Sequence, residues 1–509
     1  MKKVCFLLIL CLLLTGCTGV QPPAATVPVS ASCTSGHIDG SNNGYCDRCN
    51  AFLLVIVDFY SLNDIHGKLS DADTHPGLDE LSTYLTDARK GNDHTILLSA
   101  GDMWQGSPES NLTQGLIMTD WMNEMDFAAM VLGNHEYDWG EASIEANYKQ
   151  ADFPLLAINI YDRETNLRVS YCQSAAVVDL GAIQIGIIGA MGDCYSSISA
   201  DKTQDVYFKT GDDLTELVKA ESQRLRSDGV DYIVYLIHDG YTSSKSGTTA
   251  VGGNQLKSYY DIELSQGYVD LVFEGHTHQK YVLTDTYGVY HLQSGGDNEG
   301  ISHVEVAINI ANGKSTVQAA GLVSTSVYEN REDHPVVNQL LDKYQDQISL
   351  SNQVLGINSA KRNSNFLRQV VADLYYEAGM ARWGDKYNIA LGGGFMSVRS
   401  PGYLAAGEVT YGGLYSLFPF DNQLVLCSIK GRDLLSRFYQ NTDSRYFISY
   451  GDYGRQLKDN IDPDETYYVV VDTYSLLYGP NKLTEVERYD EHIYARDLLA
   501  QYAKNGGFL

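Results

Sequence analysis

Five stretches of this chain have the residue types for metal chemistry, and each begins where an apolar run stops. Ala128–Leu132 is closed by Gly133 and followed by Asn134-His135-Glu136-Tyr137-Asp138, which delivers an amide, an imidazole and a carboxylate in quick succession. Four more apolar runs end in the same manner, at Asn63-Asp64-Ile65-His66-Gly67, at Gly101-Asp102, at His238 and at Gly275-His276-Thr277-His278. The mix of carboxylate, amide oxygen and imidazole in Asp64, His66, Asp102, Asn134, His238, His276 and His278 suits a borderline divalent ion such as zinc or manganese. Asp-x-His and His-x-His each aim two side chains at one spot on an extended backbone, because side chains alternate with period two. A carboxylate lying between two ions can bridge them, and Asp102 is the natural candidate.

Elements must bring these groups together. Phe52–Asp58, Thr95–Ser99, Ala128–Leu132, Ile183–Ala190, Tyr232–Ile237 and Asp270–Phe273 read as strands, and Leu78–Lys90 and Gly115–Met125 as helices. Strands separated by helices or long loops, mostly without tight hairpin turns, indicate α/β layering. Open α/β folds build their sites at the carboxyl edge of the sheet, where all five stretches would lie. The remaining candidates read as bland: His75 and His94 as loop residues facing solvent, Trp104 as packing over the site, and His291 as a structural strand residue.

Together, Asn-Asp-Ile-His-Gly, Gly-Asp, Gly-Asn-His-Glu, His238 and Gly-His-Thr-His resemble the calcineurin-like metallophosphatases. More narrowly they resemble the exported, two-domain 5′-nucleotidase family, over about residues 52–500. That resemblance implies a four-layer α/β sandwich, two β-sheets flanked by helices, followed by a separate α/β C-terminal substrate-binding domain. It implies one ion on Asp64, His66, Asp102 and His278 and another on Asp102, Asn134, His238 and His276. His135 becomes the histidine near the leaving oxygen, oriented by Asp138. Two cations, zinc, manganese or cobalt, would activate a water and neutralise phosphoryl oxygens. The implied reaction is hydrolysis of 5′-nucleotides to nucleoside and phosphate. The alternative is a 2′,3′-cyclic nucleotide phosphodiesterase or UDP-sugar hydrolase on the same metals.

The second half carries the substrate candidates. Asn388–Gly394 ends in three glycines, and Arg399 follows; Gly393 and Gly394 allow close backbone approach, and an arginine suits phosphate or carboxylate. A loop with a surface arginine is the other reading. By the resemblance, Phe420 and Tyr474 sandwich a nucleobase, while core packing is the alternative for a Pro-Phe pair. This half departs from the family pattern. Leu391 replaces the asparagine before the glycines, three residues intervene before Arg399, and the Tyr474–Asn481 loop lacks the ribose-binding aspartate.

Composition sets the outer limits. With 509 residues and 44% hydrophobic content, two large globular domains are expected, and a net charge of -28 excludes an extended nucleic-acid partner. Met1-Lys2-Lys3 and an apolar run to Leu14 read as an export signal, and Leu14-Thr15-Gly16-Cys17 resembles a lipoprotein cleavage box. The resemblance implies acylation at Cys17 and an extracytoplasmic enzyme, lipid-anchored to a bacterial cell membrane, acting on small nucleotides. The expected order is signal 1–17, tether 18–32, Cys/His module 33–50, phosphoesterase domain 52–325, linker helix 326–355 and substrate-binding domain 356–509. In the module, Cys33, His37, Cys46 and Cys49 suit a structural zinc, with a Cys46–Cys49 or Cys33–Cys46 disulfide as the competing reading. Asp39–Gly44 resembles the front of a calcium loop without its closing glutamate.

Overall fold

Thr95–Ser99 shows why the elements form where they do. Its sequence, Thr-Ile-Leu-Leu-Ser, is apolar on both faces, and such a strand belongs inside a parallel sheet covered on both sides. In the computed structural model, which describes residues 36–71, 76–241, 263–399, 401–478, 482–489 and 493–509, it lies between Leu54–Leu62 and Ala129–Val131. The full order of this six-stranded sheet is Ser315–Ser324, Gly300–Asn309, Leu54–Leu62, Thr95–Ser99, Ala129–Val131, Leu155–Leu156. A second six-stranded sheet runs Lys280–Thr284, Tyr290–Ser294, Leu271–Glu274, Tyr232–His238, Gln184–Met191, Ala175–Asp179.

The sheets face each other, with Phe59 of one stacked on Tyr232 of the other at 5.8 Å. Helices Asp79–Gly91 and Leu116–Glu124 bury Leu81, Leu85, Ile117 and Met118 in one core with Leu97 and Met130. Helix Asp212–Ser227 buries Leu214, Val218 and Leu225 against Ile188, Ile233 and Tyr235. The result is helix, sheet, sheet, helix.

Register fixes the site. Leu62 pairs with Ser99 in parallel, so the chain leaves both strands at one edge just before Asp64 and Asp102. Ser99 pairs with Met130, which brings Gly133-Asn134-His135 to the same edge. In the other sheet Glu274 pairs with Ile237, so His238 and Gly275–His278 emerge side by side. Two positions there demand glycine. A Cβ on Gly101, at φ +91°, would lie 2.6 Å from His238 Nδ1, and one on Gly133 would lie 2.3 Å from an Asp102 carboxylate oxygen.

The second half builds a five-stranded sheet, Tyr446–Ser449, Ile389–Phe395, Thr466–Asp472, Leu424–Lys430, Thr484–Arg488. It packs with helix Ser364–Trp383, whose N-cap Asn363 accepts from the Phe366 amide. Residues Val55–Ile308 and Gly313–Leu509 form one compact unit, and the described residues up to Leu54 form another with Asn309–Asn312.

Antiparallel hairpin pairs, Lys280–Thr284 with Tyr290–Ser294 and Gly300–Asn309 with Ser315–Ser324, close one end of each large sheet and leave the helix, sheet, sheet, helix layering intact. One expectation needs correction. The linker expected as a helix over 326–355 is broken into Val336–Lys343, a single turn at Gln345–Ile348 and a 3-10 turn at Ser349–Asn352. Pro335 explains its late start, since a proline disfavours helical backbone at the residue before it. His75, the signal and tether, Cys17 and Cys33 lie outside the described residues. Among the described residues no helix is long and apolar enough to cross a membrane.

Candidate active site

All seven predicted ligands meet at the shared sheet edge. His278 Nε2 lies 3.3 Å from Asp64 Oδ1 and 3.2 Å from His66 Nε2. On the other side His238 Nε2 lies 3.1 Å from Asp102 Oδ2 and 3.3 Å from Asn134 Oδ1, with the His276 ring 5.5 Å from that of His238. Ligand atoms of Asp64, His66 and His278 fall within 4.8 Å of one another, and so do those of Asp64, Asp102 and His238. Asp64 is common to these two groups, and Asp102 meets His238 through Oδ2 and the His135 amide through Oδ1.

The outer hydrogen bonds of this arrangement fit divalent cations. His66 Nδ1 donates to the Gln105 carbonyl at 2.8 Å and His238 Nδ1 to the Ala100 carbonyl at 2.6 Å, with these tautomers assigned from the partners. Each ring therefore turns Nε2 into the site, the pattern by which proteins orient metal-binding histidines. Burial, and then the His278 charge, holds His66 well below the usual imidazole range, which keeps its Nε2 lone pair available. Burial opposes charge on Asp102 too, but His238 and His135 outweigh it and keep the carboxylate ionised. Oxygen and imidazole donors converging in this way suit zinc, manganese or cobalt.

His135 stands beside the ligands. Its Nδ1 donates to Asp138 Oδ2 at 2.9 Å, which leaves Nε2 as the free ring nitrogen. Burial works against a charge on this ring, yet Asp138 and Asp102 outweigh it and raise the pKa. Phe420 stacks on the imidazole at 5.7 Å and 26°, and the Arg399 guanidinium lies 4.9 Å from the Phe420 ring centre. Arg399, Ser416 and Pro419 line a cavity of about 90 Å³ together with His66, His278, Lys68 and Asp297. The second half of the chain thus places a fixed cation against the metal-ligand cluster.

Comparison with known proteins agrees with this geometry. Residues 60–280 match the calcineurin-like phosphoesterase family and residues 348–451 match the 5′-nucleotidase C-terminal domain. The chain belongs to the 5′-nucleotidase family of calcineurin-like phosphoesterases. Over 420 residues it is 26% identical to Protein UshA of Yersinia enterocolitica, covering 73% of this chain and 74% of that protein. It is 24% identical over 444 residues to the 5′-nucleotidase of Rattus norvegicus, covering 77% and 72%. The fold is shared with the crystal structure of a 5′-nucleotidase precursor from Thermus thermophilus, with a TM-score of 0.64 at 20% identity over 89% of this chain and 96% of that one. The chain is accordingly a metal-dependent phosphoric ester hydrolase.

Within this phosphoesterase, the ligand pairs do not converge as strand alternation predicts. Asp64, His66, Asp102, His276 and His278 have φ between 52° and 69°, so the backbone is left-handed at the ligands and not extended. Asp-x-His and His-x-His are therefore aimed by these local turns. His278 joins His66 and Asp64, while His276 faces His238.

Three supporting residues had no role assigned from sequence. Glu136, fully buried, accepts from the amides of Gly133 at 2.7 Å, Asp102 and Met103 at 2.9 Å and Trp104 at 3.2 Å. Its place in Gly-Asn-His-Glu was the available signal. Gln293 clamps the second histidine loop, donating to the Gly275 carbonyl and accepting from Thr277 and the Gln279 amide. Cys194, a buried thiol, donates to the His238 carbonyl at 2.8 Å, and its sulfur groups with His238 and His276. Burial pushes its thiol far up, so it serves as a donor.

The remaining substrate candidates sit elsewhere. Gly393 and Gly394 are buried in strand Ile389–Phe395, where an added Cβ would strike the Phe447 carbonyl or the Ser475 hydroxyl, so protein fills the space read as room for a ligand. Tyr474, exposed, lies tilted against Phe395 at 5.6 Å, whereas Phe420 stacks on His135. His291 is structural as expected, buried between Glu274 and Asp285, and Trp104 is fully buried.

Proposed function

We propose that this enzyme hydrolyses 5′-nucleotides to nucleoside and phosphate with two divalent ions, zinc, manganese or cobalt. The supporting observation is Arg399 and Phe420 reaching the ligand cluster from the C-terminal half, so that one small cavity is lined by His66, His278 and the Arg399 guanidinium together.

In this reading Asp64, His66, Asp102 and His278 hold one ion, and Asp102, Asn134, His238 and His276 hold the other. When bound, the pair lowers the pKa of the attacking water and offsets the charge of the phosphoryl oxygens. His135, fixed in one tautomer by Asp138, hands a proton from Nε2 to the departing alkoxide. Arg399 binds a phosphoryl oxygen not held at the ligand cluster. Phe420, stacked on His135, marks the nucleoside side of the site.

The export signal and Cys17 support an extracytoplasmic, lipid-anchored location at a bacterial cell membrane, which metabolic labelling with palmitate would test. The deciding experiment for the substrate is a panel of AMP, 2′,3′-cyclic AMP and UDP-glucose assayed with each of the three metals. AMP should show the highest kcat/KM, and a higher value for the cyclic ester or the sugar nucleotide would overturn the assignment.

A further inference from the structure

A third metal centre, outside the phosphoesterase site, is legible in the small N-terminal unit. His37, Cys46 and Cys49 each offer a ligand atom within 4.8 Å of the others, and His37 Nδ1 lies 3.5 Å from Cys49 Sγ. Both cysteines are unbridged, and Cys46 is buried.

The backbone around them is shaped to hold thiolates. Cys46 and Cys49 bracket a single Cys-x-x-Cys turn, which brings both sulfurs within reach of His37. That turn is pinned at both ends by the Cys46 amide on the Ala51 carbonyl and the Asn50 amide on the Cys46 carbonyl. Asn50, at φ 57°, closes it in the left-handed region. The Asp47 amide donates to the Ile38 carbonyl at 2.8 Å, which draws the histidine end of the loop onto the cysteine end.

The loop between them is not a calcium site. The Asp39 carboxylate is spent on the amides of Asn43 and Gly44 and on Asn309 Nδ2, and Asp47 is spent on the Gly40 amide and the Ser41 hydroxyl. Two acidic side chains that could have gripped a hard cation instead close turns, which leaves the sulfur and imidazole donors as the cation-binding groups. Thiolate with imidazole is the donor set of structural zinc. A unit this small also needs a staple, because its described apolar burial is little more than Leu53 and Cys46.

We propose that His37, Cys46 and Cys49 bind a structural Zn²⁺, with the two thiols releasing their protons to solvent as the Zn–S bonds form. Cys33, the fourth donor that the sequence offers, lies outside the described residues.

The test uses the full chain, stripped with chelator and reloaded with Co²⁺ alone. A near-ultraviolet sulfur-to-cobalt charge-transfer band should appear, persist in Asp102→Ala and vanish in a Cys46→Ser/Cys49→Ser double variant. That double variant should hold one equivalent less zinc and keep its turnover of AMP. Because the double variant could misfold, alkylation of the wild-type chain gives a second readout: Zn²⁺ should protect Cys46 and Cys49 from iodoacetamide, and chelator should expose them. No charge-transfer band in the reloaded wild type, or a Cys46–Cys49 disulfide in the mass spectrum, would overturn the proposal. So would a band that survives the double variant but is lost in Asp102→Ala, since it would then belong to Cys194.

Discussion

His66 and His278 are separated by 212 positions in the chain, yet their Nε2 atoms lie 3.2 Å apart. The Gln105 carbonyl accepts a hydrogen bond from His66 Nδ1–H, so the Nε2 atom that His66 turns toward His278 presents a lone pair. Asp64 Oδ1 reaches the same spot. His66 Nε2 and Asp64 Oδ1, both on buried residues, therefore face one spot, an arrangement that favours a positive charge there.

Metal removal should therefore weaken the fold as well as stop catalysis. At free metal a hundredfold above its Kd, each bound ion adds about 2.7 kcal/mol to unfolding. Dialysis against chelator should lower Tm by several degrees, and zinc or manganese should restore it. An unchanged Tm would mean that the ligand cluster is stable without a cation.

His135 and Asp102 should separate chemistry from metal binding. His135→Ala removes a proton donor but no ligand, so kcat should fall about 10²- to 10⁴-fold while both ions stay. Asp102→Ala should lose metal as well as turnover. Metal analysis of the two purified variants decides between the roles, and two ions in Asp102→Ala would refute the bridge.

How far the sequence carries depends on what each residue does. Strand ends followed by Asp64, Asp102, Asn134, His238 and His276 were readable because polar groups just past apolar runs must gather at one sheet edge when the strands pair in parallel. The backbone at those positions was not readable. A left-handed φ at Asp64 or His276 goes with the Asp64 amide reaching the Gly101 carbonyl and the carboxylate of Asp64 receiving the His276 amide, contacts between segments far apart in sequence. Glu136 stayed unread for the same reason, as its acceptors serve amides 32 to 34 residues upstream as well as nearby Gly133. In the C-terminal half the Gly393-Gly394 pattern fits either ligand approach or strand packing, and only Phe447 and Ser475 decide which.

Glu136→Gln tests that amide cradle. The new NH₂ group would face backbone N–H donors, leaving at least one buried donor unsatisfied at a cost of about 1–3 kcal/mol. The urea midpoint should fall accordingly. Because Asp102 is displaced, metal affinity should drop about 10- to 100-fold, as for other residues that orient ligands. A variant with lowered stability and unchanged metal affinity would show that Glu136 braces the fold alone.

Arg399 should govern substrate binding without touching metal binding. Loss of a charge-assisted hydrogen bond costs about 1.5–3 kcal/mol, so Arg399→Ala should raise KM for AMP about 10- to 100-fold with both ions retained. Arg399→Lys should recover little, because an ammonium neither lies flat against Phe420 nor offers a forked donor. Equal KM values in wild type and Arg399→Ala would place the phosphate contact on another residue, with Lys68 in the same cavity the next to test.

His291 gives the enzyme a stability that depends on pH away from the metals. Its Nδ1 lies 2.9 Å from Glu274 and its Nε2 3.4 Å from Asp285, and Tyr281 donates to the second Glu274 oxygen. Burial opposes charge on the imidazole, but the hydrogen bonds to Asp285 and Glu274 outweigh it and raise its pKa to about 9. A raised folded-state pKa means stability fully present below the unfolded value, about 6.5, and lost as pH climbs through about 9. Asp285 has the opposite sign: depressed to about 2, it contributes above the ordinary carboxylate range and is lost only in strong acid. Removing the imidazolium strands two buried carboxylates, so His291→Gln should cost about 3 kcal/mol near pH 6, the scale of a broken buried pair. The gap in urea midpoint between wild type and variant should then narrow toward pH 10, because the wild type itself loses the charge there. A gap that stays constant across that range would mean that His291 acts by packing and hydrogen bonding in its neutral form.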